Sequence, residues 1–224
     1  MTAETGLRWV LKCRDWTENQ QELIRVLFED LWHAWQKRTH LRMLMAREVT
    51  SDPDMLQLVR LCGLRHITVY ALVAFIGDIS RFRTPKQLVA YIGLQPRTHL
   101  SGQGGKTGPL AHAGRRDLRS LLVQAAQAIL RLLPGSYPLA RWGRAVACRR
   151  GKMIAVIGVA RKIAVAVWYL MRGYFTPLLE ISETIHTKLE KLAREIGLPV
   201  LTTMGFESLR AFVREKETIL LSSP

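Results

Sequence analysis

The residues best suited to chemistry lie between Tyr91 and Arg119. Ser101, a candidate hydroxyl nucleophile, stands at the entry to a stretch that holds five glycines and Pro109, a composition that a helix or a central strand does not tolerate. A helix is predicted just beyond it, with three arginines in its first turn. A helix N-terminus disfavours cations by roughly 0.3–1 kcal/mol each, so cations there indicate an external anion such as phosphate. This segment is therefore the candidate active site, with Arg115, Arg116 and Arg119 beside the serine.

Two common motifs do not account for the segment. Gly-Gly-Lys-Thr at 104–107 resembles the end of a phosphate-binding P-loop, but that pattern needs a glycine where Leu100 stands. The serine-hydrolase elbow needs glycines on both sides of the serine, at the positions of His99 and Gln103. By residue type alone, an ordinary turn serine is commoner than a nucleophile. Both interpretations of Ser101 therefore stay open on the residues alone.

Positive charge is concentrated in one part of the chain. The 224 residues carry a net charge of +15, and Arg97–Arg172 holds fourteen Lys or Arg against the single acid Asp117, which is +13. A solvated surface normally mixes signs, so this block predicts a polyanionic partner, either nucleic acid or an anionic membrane. The cations predicted to bind nucleic acid are Arg97, Lys106, Arg115, Arg116, Arg119, Arg149, Arg150, Lys152, Arg161 and Lys162.

A membrane span does not fit the apolar stretch Lys152–Arg172. Arg161 and Lys162 lie at its centre, where each costs roughly 2.5–3.5 kcal/mol on insertion scales. Apolar residues at helical spacing predict a buried helix of a bundle that points these two cations outward. No signal peptide is recognised, and isolated cysteines favour a reducing compartment. A cytoplasmic, nucleoid-associated protein without a membrane partner is expected, with no disulfide or zinc site at Cys13, Cys62 or Cys148.

A long helix is predicted near the N-terminus. Thr17–Gln20 forms a capping box, and no Gly or Pro interrupts the chain from there to about Val49. Apolar residues along this helix form a seam suited to a coiled coil. A helix packed in the core and a dimerisation arm explain this seam equally well. Its members are Leu23, Leu27, Leu31, Ala34, Leu41 and Met45.

Two short helices are predicted next, at about Pro53–Leu61 and His66–Ile76, joined through Gly63. This is helix-hairpin-helix spacing, but the Gly-x-Gly of a phosphate-gripping hairpin reads Gly-Leu-Arg here. A structural hairpin is therefore preferred to a DNA clamp. A second capping box, Thr84–Gln87, predicts a helix that ends at Gly93.

The remainder is also predicted to be helical. Helices are expected over Arg115–Leu133 and Lys152–Arg172, with a loop containing Trp142 between them. A third should begin at Thr176 and end at Gly197, and a last one should cover about 206–221. Because no useful alternating pattern indicates strands, the predicted fold is all-α. Its expected domains are a connector or coiled coil over 1–50, a helical domain over 51–175 and an amphipathic extension over 176–224.

Several segments, taken in order, resemble the C-terminal domain of insertion-sequence transposases of the 110/116/902 family. The resemblance covers roughly Thr50–Arg172 and combines several distinct motifs. Those motifs are Gly63 with its flanking helices, Ile76–Leu88, Ala90–Pro96, Ser101-Gly102, His112–Arg119 and Gly158–Ala164.

The resemblance implies a mostly helical domain whose catalytic serine stands at the Ser-Gly motif, which is Ser101 here. In that family the serine is thought to attack a DNA phosphodiester, forming a phosphoserine link and freeing a 3′ hydroxyl. Full-length members begin with a ribonuclease-H-like domain whose acidic residues bind divalent metal, and this sequence has no counterpart of it. The resemblance therefore implies a truncated or split transposase with no cofactor of its own.

Partners follow from the same resemblance. DNA is the expected substrate, and family members assemble as dimers or tetramers and use an element-encoded bridge RNA to choose DNA sites. We therefore expect homo-oligomerisation through the helical segments, a separate chain that carries the metal-binding domain, and a bridge-type guide RNA. Two alternatives to a serine-type transposase or recombinase stay open. One is a non-catalytic nucleic-acid-binding remnant or regulator, and the other is a helical interaction protein.

Overall fold

The computed structural model describes residues 3–101, 104–110, 113–174 and 182–222. The chain divides into two units, Met1–Leu44 and Met45–Pro224. Within the described residues, the regular secondary structure is helical apart from one two-stranded hairpin, so the all-α prediction is confirmed.

The first unit consists of α1 (Ala3–Lys12) and most of α2 (Glu18–Ser51). The predicted capping box is present, because the Thr17 amide donates to Gln20 Oε1 at 3.0 Å and the Gln20 amide donates to Thr17 Oγ1 at 3.4 Å. The leucines of the predicted seam are more than half exposed, so the seam is available to another helix. Dimerisation through it stays a prediction.

The second unit begins with the last turns of α2, where Ala46 and Val49 are fully buried in the core. Next come α3 (Pro53–Val59) and α4 (His66–Ile76), which confirm the two predicted short helices. Gly63 lies between them at φ +77°, and a Cβ there would lie 2.9 Å from Ile129. The connection is therefore packed against the core, as expected of a structural hairpin.

After a single 3-10 turn (Ile79–Arg81), α5 (Pro85–Ile92) begins at the second predicted capping box and ends at Gly93 in the left-handed conformation. The next segment forms β1 (Pro96–Ser101) and β2 (Gly104–Leu110), which pair antiparallel. The hairpin replaces the irregular loop that the glycines predicted. Both strands of a two-stranded sheet are edges, and edge strands tolerate glycine and proline.

Three helices complete the central bundle: α6 (Arg116–Leu132), α7 (Pro138–Arg150) and α8 (Lys152–Leu170). The loop predicted around Trp142 is wrong, because that residue lies within α7. Proline at the first helical position starts α7 and Gly151 ends it. Tertiary contacts then hold it: Arg144 Nε donates to Leu130 O at 3.2 Å and its Nη2 donates to Leu133 O.

Helix α8 is long and apolar enough to cross a membrane by length and composition. In the structure it packs against α5, α6 and α7, and Arg161 and Lys162 are exposed. This arrangement confirms the prediction of a buried bundle helix with two outward cations. Its buried residues are Ala155, Val156, Val159, Ala160, Ile163, Ala164, Ala166, Val167 and Trp168.

The C-terminal part of the chain forms α9 (Ser182–Ile196), α10 (Leu198–Thr203) and α11 (Leu209–Ser222). The predicted start of α9 at Thr176 lies outside the described residues. The apolar residues Ile185, Leu189, Leu192 and Ile196 of α9 are buried, and the helix ends before Gly197, as predicted. Lys188 joins α9 to the α3–α4 connection, because its Nζ donates to Val59 O and Leu61 O, both at 2.6 Å.

Lys188 gives the fold a specific dependence on pH. Burial lowers the pKa of Lys188 to about 8 from its ordinary 10.5. Between these two values the unfolded state binds more protons than the folded state, so the free energy of unfolding should rise with pH. Burial also raises the pKa of Cys62 to about 11 from 9.0. Between these two values the folded state binds more protons, so Cys62 lowers the free energy of unfolding as the pH rises. The rise should therefore be steepest from about pH 8 to 9 and amount to about 1 kcal/mol.

Urea unfolding at several pH values measures this effect. The Lys188→Met variant should lose the rise, whereas Lys191→Met, an exposed lysine of the same helix, should keep it. A free energy of unfolding that stays constant or falls from pH 7.5 to 9 in the unmodified chain would contradict the assignment.

Candidate nucleic-acid interface

Ser101 is the last described residue of β1 and pairs with Gly104 of β2. The two strands rise from a common base, where Pro96 pairs with Leu110. The candidate nucleophile is therefore carried at the far end of a hairpin. Only its backbone is described, and its side chain lies outside the described residues.

Two glycines hold the base of this hairpin together. Gly93 ends α5 at φ +79°, and Gly114 precedes α6 at φ +97°. A Cβ on Gly114 would lie 2.6 Å from the Gly93 amide nitrogen and 2.7 Å from Tyr91 O. The Arg115 amide also donates to Tyr91 O at 2.8 Å. The chain thus closes on itself where the hairpin begins and ends, and only glycine fits at this contact.

The three arginines at the start of α6 have different roles. Arg115 is the N-cap residue, and its guanidinium donates to both Asp117 oxygens, at 3.1 and 2.6 Å. This pairing lowers the pKa of Asp117 to about 2. Arg115 also lies 4.0 Å over the Phe75 ring. Arg119 Nη1 donates to Gly93 O at 3.2 Å and so joins α6 to the base of the hairpin. Arg116 is exposed.

Two basic grooves flank the base of the hairpin. The first, of about 760 Å³, is lined by Leu110, Arg116 and Arg119 together with Ile157 of α8. The second, of about 470 Å³, is lined by Pro96, Lys86 and Arg161 together with Val165 of α8. Pro96 and Leu110 are paired in the hairpin, so the two residues at its base each border one of the grooves. Lys86 was not among the predicted cations, since a lone lysine in a capping box does not indicate that it will line a groove with Pro96 and Arg161.

A third groove, of about 500 Å³, lies between α7 and α8. Arg149 and Arg150 line it, together with Trp142 and Gly158. Lys162 extends over the indole, with Nζ 4.6 Å from the ring centroid. The structure thus places these predicted cations apart from those at the start of α6. No described hairpin residue lines this groove.

The remaining predicted cations are less informative. Arg97 is exposed on β1, and Lys152 is exposed at the start of α8. Lys106 pairs through its backbone with His99, but its side chain lies outside the described residues. Within the described ranges, no cluster of three or more His, Cys, Asp or Glu side chains is placed to hold a metal ion.

Comparison with known proteins agrees with the motifs. Residues 55–137 match the model of the "Transposase IS116/IS110/IS902 family". A "Probable family 20 transposase" of Pseudomonas aeruginosa is 29% identical over 151 residues, which cover 67% of this chain and 45% of that protein. The "Transposase for insertion sequence element IS1111A" of Coxiella burnetii is 34% identical over 110 residues, which cover 49% of this chain and 30% of that protein.

A third relative is the "Pilin gene-inverting protein" of Moraxella lacunata, 38% identical over 65 residues that cover 29% of this chain and 20% of that protein. The chain therefore spans less than half the length of each of these relatives. The matched segment contains most of α3, then α4 to α6 and the hairpin, which supply most of the residues that line the first and second grooves. Over residues 55–137 the chain is similar to the IS116/IS110/IS902 family of insertion-sequence transposases, the family that its motifs resemble.

Proposed function

We propose that this chain contributes the serine nucleophile of a DNA transposition or recombination reaction. The observation that carries the proposal is the placement of Ser101 on a hairpin whose two base residues each line a basic groove. Such an arrangement holds a phosphodiester backbone by its charge while one hydroxyl is presented to it. The similarity of residues 55–137 to the transposase family supports the same assignment.

The reaction is a transesterification. The Ser101 oxygen attacks a DNA phosphorus and loses its proton to solvent or to a base outside the described side chains. A bond forms between the serine oxygen and phosphorus, and the bond from phosphorus to the 3′ oxygen breaks. The 3′ oxygen takes up a proton and leaves as a hydroxyl. Because the phosphoserine ester conserves the bond, the reverse attack by a 3′ hydroxyl rejoins strands without a nucleotide cofactor.

The grooves supply the electrostatic part of this reaction. Cations held in place at the base of the hairpin attract the phosphates that flank the attacked one and so keep the DNA backbone against the hairpin. Arg116 lines the first of these grooves and Arg161 the second, and both side chains are exposed. Arg115 instead positions the start of α6, because its guanidinium is engaged by Asp117.

A trapping experiment tests the proposal. Random-sequence duplexes with a 3′-bridging phosphorothiolate expel a thiolate that rejoins poorly, so any serine–DNA ester accumulates. The chain is incubated alone, and also with a full-length family member whose own equivalent serine is replaced. We expect a covalent complex on denaturing gels and a phosphoserine at position 101 by mass spectrometry. No adduct on this chain in either arm would overturn the proposal.

Nucleic-acid binding without chemistry is the second candidate function. The observation that favours it is the α7–α8 groove, where Arg149 and Arg150 stand apart from the hairpin. The Arg149→Ala, Arg150→Ala double variant should weaken duplex DNA binding. The slope of log K against log salt concentration should fall by about 2, since each lost phosphate contact removes about 0.9.

A matched control removes the same charge elsewhere. Arg194 and Arg210 are exposed on the C-terminal helices, and their double alanine variant should keep the slope of the unmodified chain. Equal slopes for both double variants would show that net charge alone attracts the DNA. Binding that persists in Ser101→Ala without any adduct in the trapping experiment would favour the non-catalytic function.

A further inference from the structure

The α7–α8 groove contains an exposed tryptophan in a basic setting. Trp142 is 38% exposed, and the edge of its indole lies against Gly158, where an added Cβ would be 3.0 Å from Cη2. Val146 follows Trp142 by one helical turn, and Ile154 and Lys162 stand one turn to either side of Gly158. The indole is therefore held in place by packing while part of it stays open to solvent.

The charge around this indole has one sign. Helices α7 and α8 together contain seven Arg or Lys and no Asp or Glu. Arg149 and Arg150 line the groove, and the Lys162 ammonium lies 4.6 Å from the indole centroid. Ile154, at the start of α8, is 54% exposed and lines the same groove, and its neighbour Met153 is 65% exposed. Aromatic and apolar surface interleaved with cations matches a ligand that alternates flat rings with phosphates.

The geometry distinguishes an unpaired strand from a duplex. In a duplex the faces of the bases are stacked on one another, so only phosphates and base edges are available to a protein. An unpaired nucleotide offers an open face that stacks on tryptophan. The groove volume of about 500 Å³ lies within the range of ordinary ligand sites, roughly 300–1,000 Å³. An acidic peptide would satisfy the cations but would leave the indole without a flat partner.

We propose that the α7–α8 groove binds an unpaired nucleotide of a single-stranded segment, with its base stacked on Trp142 and its flanking phosphates held by Arg149, Arg150 and Lys162. The proposal rests on the proposed function for its nucleic-acid substrate, but it concerns a groove that none of the described hairpin residues lines. Strand separation accompanies strand exchange, so such a groove would hold a segment that is not base-paired during the reaction.

A comparison of oligonucleotides with and without bases tests the stacking. The chain is titrated with oligo(dT), with oligo(U), with an abasic oligodeoxynucleotide of equal length and with a duplex. The Trp142→Ala variant should raise the dissociation constant for both base-bearing single strands by about 5- to 150-fold. The dissociation constants for the abasic strand and for the duplex should change by less than about twofold in this variant. Trp142→Phe should recover most of the loss, because a phenyl ring also stacks.

Two controls separate stacking from charge and from folding. Trp35→Ala removes another exposed indole, one that stands near Glu29 and Asp30 in the sequence, and should change no affinity. The Arg149→Ala, Arg150→Ala variant should weaken the binding of all four ligands, including the abasic strand. A circular-dichroism melt of each variant shows whether it is folded.

Crosslinking of the unmodified chain gives a readout that needs no substitution. Strands that carry 5-iodouracil should crosslink to peptides that contain Trp142 or Met153. Crosslinks confined to other peptides would overturn the proposal, as would equal affinities of the unmodified chain for oligo(dT) and the abasic strand. Preference for oligo(U) over oligo(dT), or the reverse, would identify RNA or DNA as the source of the nucleotide. Because these assays do not require an adduct, failure of the serine mechanism leaves their result intact.

Discussion

Replacing Ser101 with alanine is expected to reduce the covalent protein–DNA complex by at least about 1,000-fold, because alanine has no oxygen to attack phosphorus. The substitution should hardly affect folding. Ser101 contributes its backbone to the hairpin through its pairing with Gly104, and alanine keeps that pairing. The free energy of unfolding should therefore stay within about 0.5 kcal/mol of its original value. Denaturing gels of the phosphorothiolate reaction measure the adduct.

The matched control for Ser101 is Ser120. Its side chain is exposed, and it lines the groove that contains Arg116 and Arg119. Ser120→Ala should retain the adduct, since that hydroxyl lies on α6 and not on the hairpin. If the two alanine variants lose the adduct equally, or if Ser101→Ala keeps it, then Ser101 is not the nucleophile.

Gly114→Ala is expected to lower the free energy of unfolding by about 2–5 kcal/mol, the sum of backbone strain and overpacking. The backbone of Gly114 is at φ +97°, and its new Cβ would meet the Gly93 amide nitrogen at 2.6 Å and Tyr91 O at 2.7 Å. These are backbone atoms that no rotamer change can move away. Relief of the contact would separate the base of the hairpin from α6, so the adduct yield should fall as well.

Gly205→Ala separates backbone strain from the steric contact. Gly205 has nearly the same φ, +92°, but a Cβ there would meet nothing within 4 Å. This variant should therefore lose only about 1–2 kcal/mol and keep the adduct. Chemical denaturation of both variants measures the difference. Equal losses would mean that the contact between Gly93 and Gly114 adds nothing beyond strain.

Much of the helical architecture could be predicted because its signals are short in sequence. Capping boxes at Thr17–Gln20 and Thr84–Gln87 are present where their residue patterns predicted them. Gly93 and Gly197 end helices for the same local reason. The apolar spacing of α8 correctly placed its seam inside the bundle. Each of these features depends on residues within a few positions of one another.

The misses also have a physical explanation. Helix α7 was predicted as a loop because it is rich in arginine and its amphipathic pattern is weak. Its stability comes from packing, since Gly143 allows a close approach to Leu130 and Val159 and Arg144 binds carbonyls at the end of α6. The hairpin was predicted as a loop because glycine and proline normally break strands, whereas pairing of two edge strands accommodates them.

The sequence by itself determined the helical class, the concentration of positive charge between Arg97 and Arg172, the candidate serine and the resemblance to the transposase family. These properties depend on residue types and local order. Tertiary structure alone decided which cations line the grooves at the base of the hairpin. Arg115 is paired with Asp117, whereas Lys86 and Arg161 line one groove together with Pro96. It also decided that Trp142 lies in a basic groove. Contacts between residues far apart in sequence depend on how whole helices cross, and residue types do not specify those crossings individually.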